Sequence, residues 1–388
     1  MPALTVLSAH NFYRHPGGED TVFAAEAALL KAHGHTVTLY ERSNTHIRSG
    51  GTAAFQAIWN PAAHRELRTF APTSVAHFHN TFPLISPSAY YAAKRQGTAV
   101  VQTLHNYRLI CPGAILARNG SPCEDCITEK SLRPAITHAC YRNSRAATAS
   151  VAAMLTTHRA VGTYQHAVDA YIALSNFARE KFIAGGLPAD RIFVKPNFVS
   201  PDPVIGSGSG NYALFAGRLS PEKGIETLSA AWRSLPGIPL KIAGDGPLNN
   251  TSWPSAAIPL GQQPRQHMTE LLSEARVLVF PSTWYECAPM TILEAFACGT
   301  PVIASNLGSM AELVRDGHTG LLFRPGDPAD LAEKVLYAFS HPEHLAAMRI
   351  NARREFEEKY TAERNYKMLI AIYEQAIENA QRRKRAAS

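Results

Sequence analysis

Up to residue 104 the chain alternates short apolar runs with helical patterns, and beyond a Pro/Gly/Ser-rich segment at 201–211 the same alternation starts again. Residues 4–8 read as a strand, 10–18 as a loop ending in two glycines, and 19–33 as a helix whose apolar positions include Val22, Phe23, Leu29 and Leu30. Glu19 and Asp20 fall in its first turn, where the helix dipole favours negative charge, and Gly34 supplies the stop. Residues 36–40 are then a second strand. A strand–helix–strand start implies a parallel sheet with helices on both faces.

Residues 75–79, 98–104, 170–175 and 191–194 read as further strands of the same sheet, with an irregular stretch rich in Cys, Arg and Ala at 105–163. The segment PDPVIGSGSGN has linker composition. After it, residues 212–216, 240–243, 277–280, 301–304 and 320–323 read as strands, 225–235 and 290–297 as helices, and the chain from Pro328 onward as almost purely helical. A length of 388 residues exceeds one ordinary core and suits two domains. We therefore expect an α/β protein with two Rossmann-like domains, 1–200 (with a Cys-bearing insertion at about 105–163) and 201–360, followed by 361–388. Two open α/β units make a cleft, and ligands of such sheets bind beyond the carboxyl ends of the strands.

With 46% hydrophobic and 18% charged residues, the composition is that of a folded globular chain. No run approaches twenty apolar residues, and the first nine residues lack the flank and length of a secretory signal, so a cytoplasmic location is expected. The net charge of +7 suits phosphorylated small molecules, nucleic acid or an anionic membrane surface. The basic run Arg382–Arg383–Lys384–Arg385 is a solvated end or a contact with lipid headgroups at the inner face of a membrane.

Four constellations carry chemistry. Gly217–Arg218–Leu219–Ser220–Pro221–Glu222–Lys223–Gly224 follows a strand and precedes a helix. Glycine admits a ligand close to the backbone, Arg218 offers a fork for phosphate oxygens, and Lys223 adds a mobile point charge. Glu286 and Glu294 stand just past another strand; on one continuous helix they would be about 12 Å apart along the axis, too far for a hydrolase pair and suited to gripping two ends of an extended ligand. Gly17–Gly18 opens the first helix, and Thr103–Leu104–His105–Asn106 ends a strand. His77–Phe78–His79–Asn80 and the Cys-bearing stretch are candidate walls of an acceptor surface.

The ordered set Gly217–Gly224, Ile242–Ala243–Gly244–Asp245–Gly246–Pro247, Pro281–Ser282, Glu286 through Glu294, Gly299–Thr300–Pro301–Val302–Ile303–Ala304, Glu312 and Gly320 resembles the donor domain of family-4 retaining glycosyltransferases of the GT-B fold. The resemblance implies that Arg218 and Lys223 hold the diphosphate of a nucleotide sugar (UDP-, GDP- or ADP-linked), with Gly217 and Gly244 in the same loops. It gives Glu294 the ribose hydroxyls, Glu286 a sugar hydroxyl, and the backbone of Ala288, Pro289, Met290 and Thr291 a share of the sugar and phosphate. Gly17 and Gly18 would approach the diphosphate and His105 the donor sugar; no catalytic metal is implied, and the last helix would return to the first domain. The acceptor is then a glycan or a lipid-linked glycan. Gly308–Ser309 and Cys287–Ala288 depart from the family's usual Gly-Gly and Phe-Gly pairs.

Cys111, Cys123, Cys126 and Cys140, with a central C-x-x-C, fit a structural zinc site as well as four unrelated thiols. Two other readings compete with transfer. A nucleotide-sugar 2-epimerase of the same fold would need no acceptor. A zinc-bearing nucleic-acid binder would leave the glycine loops and paired glutamates unexplained, and no aromatics interleave the basic run, so a nucleic-acid partner is not expected.

Overall fold

The computed structural model describes residues 3–14, 17–47 and 49–387. It divides into two compact units, one made of Met1–Leu116, Glu124–Pro196 and Asn365–Ser388, the other of Ala117–Cys123 and Asn197–Arg364. The strands are β1 (Thr5–Phe12), β2 (Thr36–Ser43), β3 (Val75–Asn80), β4 (Ala99–Leu104), β5 (Ala117–Arg118), β6 (Ser121–Pro122), β7 (Ala170–Ala173) and β8 (Ile192–Val194). They continue with β9 (Ala213–Ala216), β10 (Leu240–Ala243), β11 (Ala257–Gly261), β12 (Val277–Phe280), β13 (Val302–Ser305) and β14 (Gly320–Phe323).

In the first unit the six-stranded sheet runs β2-β1-β3-β4-β7-β8, every pairing parallel. The chain leaves β1 to both sides in turn, so the order reverses between β1 and β3. A ligand of a doubly wound sheet binds at such a reversal. β1 extends to Phe12, beyond the expected residue 8, because β2 pairs with it as far as Phe12 and β3 as far as His10. That replaces part of the expected loop at 10–18; His15 and Pro16 of that loop lie outside the described residues. β3 and β4 are buried along their whole length. His77, Phe78, His79 and Asn80 are therefore interior and do not wall an acceptor surface. The insertion is also more ordered than expected: Arg145–Ala160 is a sixteen-residue helix, with Ser144 Oγ accepting from the Ala147 amide at its start.

The second unit's sheet runs β11-β10-β9-β12-β13-β14, all parallel, and its order reverses between β9 and β12. Alternate residues of each strand enter two separate cores. Leu214, Leu278, Phe280 and Val302 pack with Ile292, Phe296 and Phe356 on one face. Phe215, Ile242, Val277 and Ile303 pack with Leu228, Trp232 and Leu331 on the other. Apolar residues on both faces of a strand are what a sheet sandwiched between helix layers requires.

The last helix, Ala362–Ala387, buries Leu369, Ile370, Tyr373 and Ala376 at helical spacing, and from Asn365 on it belongs to the first unit. Its polar anchors are Tyr366 on His35 (2.9 Å), Tyr373 on His77 (2.8 Å) and Asn379 on the Asp169 carbonyl (3.1 Å). Arg383 pairs with the buried Asp169 and donates to the His166 carbonyl. The basic run is thus only partly a solvated end: Arg382, Lys384 and Arg385 are exposed, whereas Arg383 fastens the helix. Among the described residues no helix is long and apolar enough to cross a membrane.

Candidate nucleotide-sugar site

In the second unit the switch point assembles the glycine loop and the first glutamate. Beyond β9 the chain passes Gly217 into a short 3-10 turn, Pro221–Lys223, and Gly224 adopts a left-handed conformation (φ 72°) before helix Ile225–Trp232. Gly224 has to be glycine. A Cβ there would stand 1.9 Å from the Pro281 carbonyl oxygen just past β12, so any side chain would push the two strand ends apart. Gly244 (φ 151°) is equally confined, its Cβ position 1.8 Å from the Gly217 carbonyl oxygen. Its glycine serves close packing of the turns after β9 and β10, which also share the bonds Gly217 N–H to Ala243 O and Leu219 N–H to Asp245 O, both 3.0 Å.

Lys223 Nζ donates to Glu286 Oε1 at 2.6 Å. The same oxygen accepts from Trp284 Nε1 (2.7 Å) and Ser282 Oγ (2.8 Å), and Ser309 Oγ holds the Glu286 carbonyl (2.6 Å). Three donors on one oxygen fix the carboxylate's direction, while Oε2 takes no hydrogen bond among the described residues. Oε2 is the atom available to a ligand hydroxyl. Lys223 also lies 5.5 Å from the ring centres of Phe280 and Trp284, an arrangement that favours the cation. Arg218 is exposed, and its side chain makes no ion pair or hydrogen bond among the described residues.

Helix Met290–Ala297 begins only at Met290, with Pro289 as its N-cap. The stretch from Glu286 to Glu294 is therefore a loop followed by a helix, and the 12 Å spacing of one continuous helix does not apply. The first-turn amides of Met290 and Thr291 lack an intrahelical partner by construction, which is the ordinary anion-holding property of a helix start. Ala288 is anchored through its carbonyl to Asn197 Nδ2 (3.4 Å). Glu294 is half-buried on this helix; burial raises its carboxyl above the usual range, with Arg265 opposing.

The first unit's candidates sit around its own switch point. Gly17 is the extended N-cap of helix Gly18–Ala32, and its N–H is already taken by Asp20 Oδ2 (2.8 Å). Asp20 also bonds His10 Nε2 at 2.7 Å. Glu19 lies between the amides of Asn80 (3.3 Å) and Asn106 (3.5 Å). Burial, then the neighbouring Asp20 charge, pushes its pKa up to about 8. A carboxyl that keeps its proton longer in the folded state than in the unfolded chain costs stability as pH rises, here between about 4.5 and 8. Glu19→Gln is expected to flatten that decline in denaturant melts at pH 5 and pH 8; an unchanged slope would assign the pH dependence elsewhere.

Behind this rim lies a polar core that composition and spacing did not reveal. Lys195 Nζ, fully buried, donates to Glu26 Oε1 at 2.5 Å and to Asn365 Oδ1 at 3.3 Å. Glu26 Oε2 faces His79 Nε2 at 3.6 Å and His77 Nδ1 at 3.8 Å, and His79 Nδ1 is 3.1 Å from His105 Nε2. Burial lowers His77 to about 4 and also depresses His79 and His105, so all three are neutral at pH 7. Neutral imidazole has one donor and one acceptor nitrogen. Were His79 protonated on Nδ1, its Nε2 lone pair would face the Glu26 carboxylate with neither atom otherwise partnered, at a cost of about 1–3 kcal/mol. His79 thus carries its proton on Nε2 and accepts on Nδ1 from His105 Nε2–H, leaving His105 Nδ1 as an acceptor.

Groups with metal-ligand spacing among the described residues are Glu26–His77–His79 and His10–Glu19–Asp20; the four cysteines form none. Lys195 on Glu26 already neutralises the first of these. No disulfide joins Cys111, Cys123, Cys126 or Cys140.

Residues 204–355 match the family of glycosyl transferases group 1. An uncharacterized glycosyltransferase of Methanocaldococcus jannaschii is 30% identical over 196 residues, which are 48% of this chain and 54% of that protein. Glycogen synthase of Mycobacterium tuberculosis is 36% identical over 162 residues, 37% of each. The chain spans about half or less of the first curated relatives it matches. Among solved structures, Anabaena HepE in complex with UDP and glucose superposes with a TM-score of 0.65 at 17% identity, covering 97% of this chain and 99% of that one. The match to the glycosyl transferases group 1 family lies within the second unit, and the two parallel-sheet units have the GT-B fold.

Proposed function

We propose that this chain is a retaining glycosyltransferase that moves a sugar from a nucleoside diphosphate sugar to a glycan or lipid-linked glycan of an envelope or exopolysaccharide pathway. The observation that carries the reading is the Lys223–Glu286 pair held at the β9/β12 switch point beside the exposed Arg218. The two cations neutralise the departing diphosphate, and Glu286 Oε2 receives a hydroxyl of the transferred sugar. Glu294 holds the ribose, and the backbone of Ala288–Thr291 meets the sugar and phosphate. The anomeric C–O bond to the diphosphate breaks as a new one forms to the acceptor oxygen. The acceptor's proton passes to the leaving phosphate oxygen, with no metal in the step.

The glycogen synthase among the relatives and the UDP bound to HepE support a glycan acceptor and a nucleotide-sugar donor. Thermal melts with UDP-, GDP- and ADP-sugars test the reading. One donor should stabilise the native chain by mass action and leave the Arg218→Ala/Lys223→Ala variant unmoved. Stabilisation by none of them removes the proposal. Product NMR then reads the anomeric configuration, and an isomerised free donor would instead favour the 2-epimerase reading.

A structural zinc on Cys111, Cys123, Cys126 and Cys140 belongs to the proposal on C-x-x-C spacing alone; metal analysis should return one equivalent, and none discards it. So do a cytoplasmic location and peripheral contact with an anionic membrane. Deleting 382–388 would also remove Arg383 from Asp169, and Ser388 lies outside the described residues. Charge reversal at the exposed Arg382 and Arg385 is the cleaner test: loss of binding to anionic vesicles is expected, and unchanged binding ends the membrane claim.

A further inference from the structure

Between helix Gly50–Ile58 and helix Arg145–Ala160 the first unit has a half-open pocket of about 330 Å³, about twice the 150 Å³ cavity that takes up a benzene ring. It exists because glycine and alanine occupy the facing positions. Ala54 and Ala57 on one side and Ala147 and Val151 on the other are too small to fill the gap, and Phe82 and Tyr141 complete the wall. Phe82 follows β3, and its carbonyl is held by Asn11 Nδ2 of β1 (2.8 Å). The cavity therefore adjoins the β1/β3 switch point, where a sheet of this topology presents its ligand.

The wall is apolar, but its aromatic rim carries charge. The Arg108 guanidinium lies 4.5 Å from the Phe82 ring centre and 4.9 Å from that of Tyr141, and the exposed Arg142 lies 5.2 Å from the Tyr141 centre. Arg108 Nε is buried without a hydrogen-bond partner, a donor that an anionic oxygen would satisfy. Arg142 and Asn143 are both left-handed (φ 55° and 52°), a conformation non-glycine residues seldom adopt, so the rim is held in place at some cost in strain.

We propose that this cavity binds the aliphatic chain of an alcohol phosphate, with the phosphate at Arg108 and Arg142. It is the acceptor end of the transferase proposed above, and it narrows the acceptor to an amphiphile with about ten carbons of chain in the cavity.

Calorimetric titration of the full chain with decyl phosphate, geranyl phosphate, decanol and inorganic phosphate tests this. At least one of the two chain phosphates should bind, decanol at least tenfold more weakly, and inorganic phosphate not measurably. Comparing decyl with geranyl phosphate distinguishes a straight chain from a prenyl chain. Ala54→Phe and Ala147→Phe should each weaken binding tenfold or more, and Arg142→Ala should weaken the phosphates without affecting decanol. No binding of either chain phosphate, or native affinity in both cavity-filling variants, overturns the proposal. Urea melts of the same proteins show that the variants are folded. Titration with UDP, GDP and ADP separates the two readings: chain-phosphate binding with none of the three nucleotides binding would sink the donor assignment and leave the cavity standing.

Discussion

Lys195→Met is expected to cost about 3–5 kcal/mol of the first unit's stability and to lower its melting temperature by roughly 10 °C. The lysine is fully buried, and among the described residues its ammonium is the one full positive charge beside Glu26, itself 2% exposed. Methionine keeps most of the volume and removes the charge, so the loss is that of an uncompensated carboxylate, not of packing. Replacing both partners, Lys195→Met with Glu26→Leu, should recover more than half of the deficit, because the costly state is the half-pair.

The deficit should also depend on pH, with a definite sign. His77 and His79 are kept neutral by burial, and the Lys195 charge adds to that effect. In the native chain an unfolded histidine takes up a proton below about 6.5 while folded His77 resists to about 4, so stability falls as pH falls through this window. In Lys195→Met a protonated His77 or His79 compensates Glu26, so the gap between variant and native chain should narrow from pH 8 to pH 5.5. Urea melts at the two pH values measure it. A cost under 1 kcal/mol at pH 8, or a gap that widens in acid, would show that Glu26 is not the charge Lys195 serves.

Glu286→Gln is expected to lower kcat by about 10²–10³-fold while nucleotide affinity changes little. The amide keeps the shape and can still accept on one side, but it removes the negative charge that orients Lys223 and weakens the acceptor offered to a sugar hydroxyl. On the proposed reading nucleotide affinity rests instead on Arg218 and Lys223, so Lys223→Met should show the complementary result, a raised Kd for the nucleotide. Single-turnover rates alongside UDP titrations separate these effects. A glutamine variant with native kcat and impaired UDP binding would move Glu286 from the sugar to the nucleotide.

Much of the second unit was readable because its determinants are local. β9, β12 and β13 are short apolar runs, each followed by a loop of distinctive residues, and a parallel strand buried on both faces needs no long-range information to be recognised. The Gly217–Gly224 loop was identifiable from its order of residue types, although the reason Gly224 must be glycine is the Pro281 carbonyl, 57 residues away in sequence. The helix Arg145–Ala160 was missed amid its cysteine- and arginine-rich surroundings, even though its alanines favour helix. His77 and His79 alternate as two residues of one strand face do, a signal that marked a shared face without saying that the face was interior.

The strand–helix alternation, the parallel-sheet class, the glycine loops and the identity of the second unit's charged residues follow from the sequence alone, since each depends on residues within a turn or two of one another; β11 and helix Arg145–Ala160 were not read from it. Tertiary structure decided which charges meet. Lys195 finds Glu26 across 169 positions and Arg383 finds Asp169 across more than two hundred. It also decided that Lys223 and Glu286, read separately as phosphate and sugar ligands, are bonded to each other. The pairing of distant charges depends on how helices pack on sheets, and no local pattern encodes it, because a lysine at the end of a strand is compatible with solvent, phosphate or a buried carboxylate until the packing excludes the alternatives.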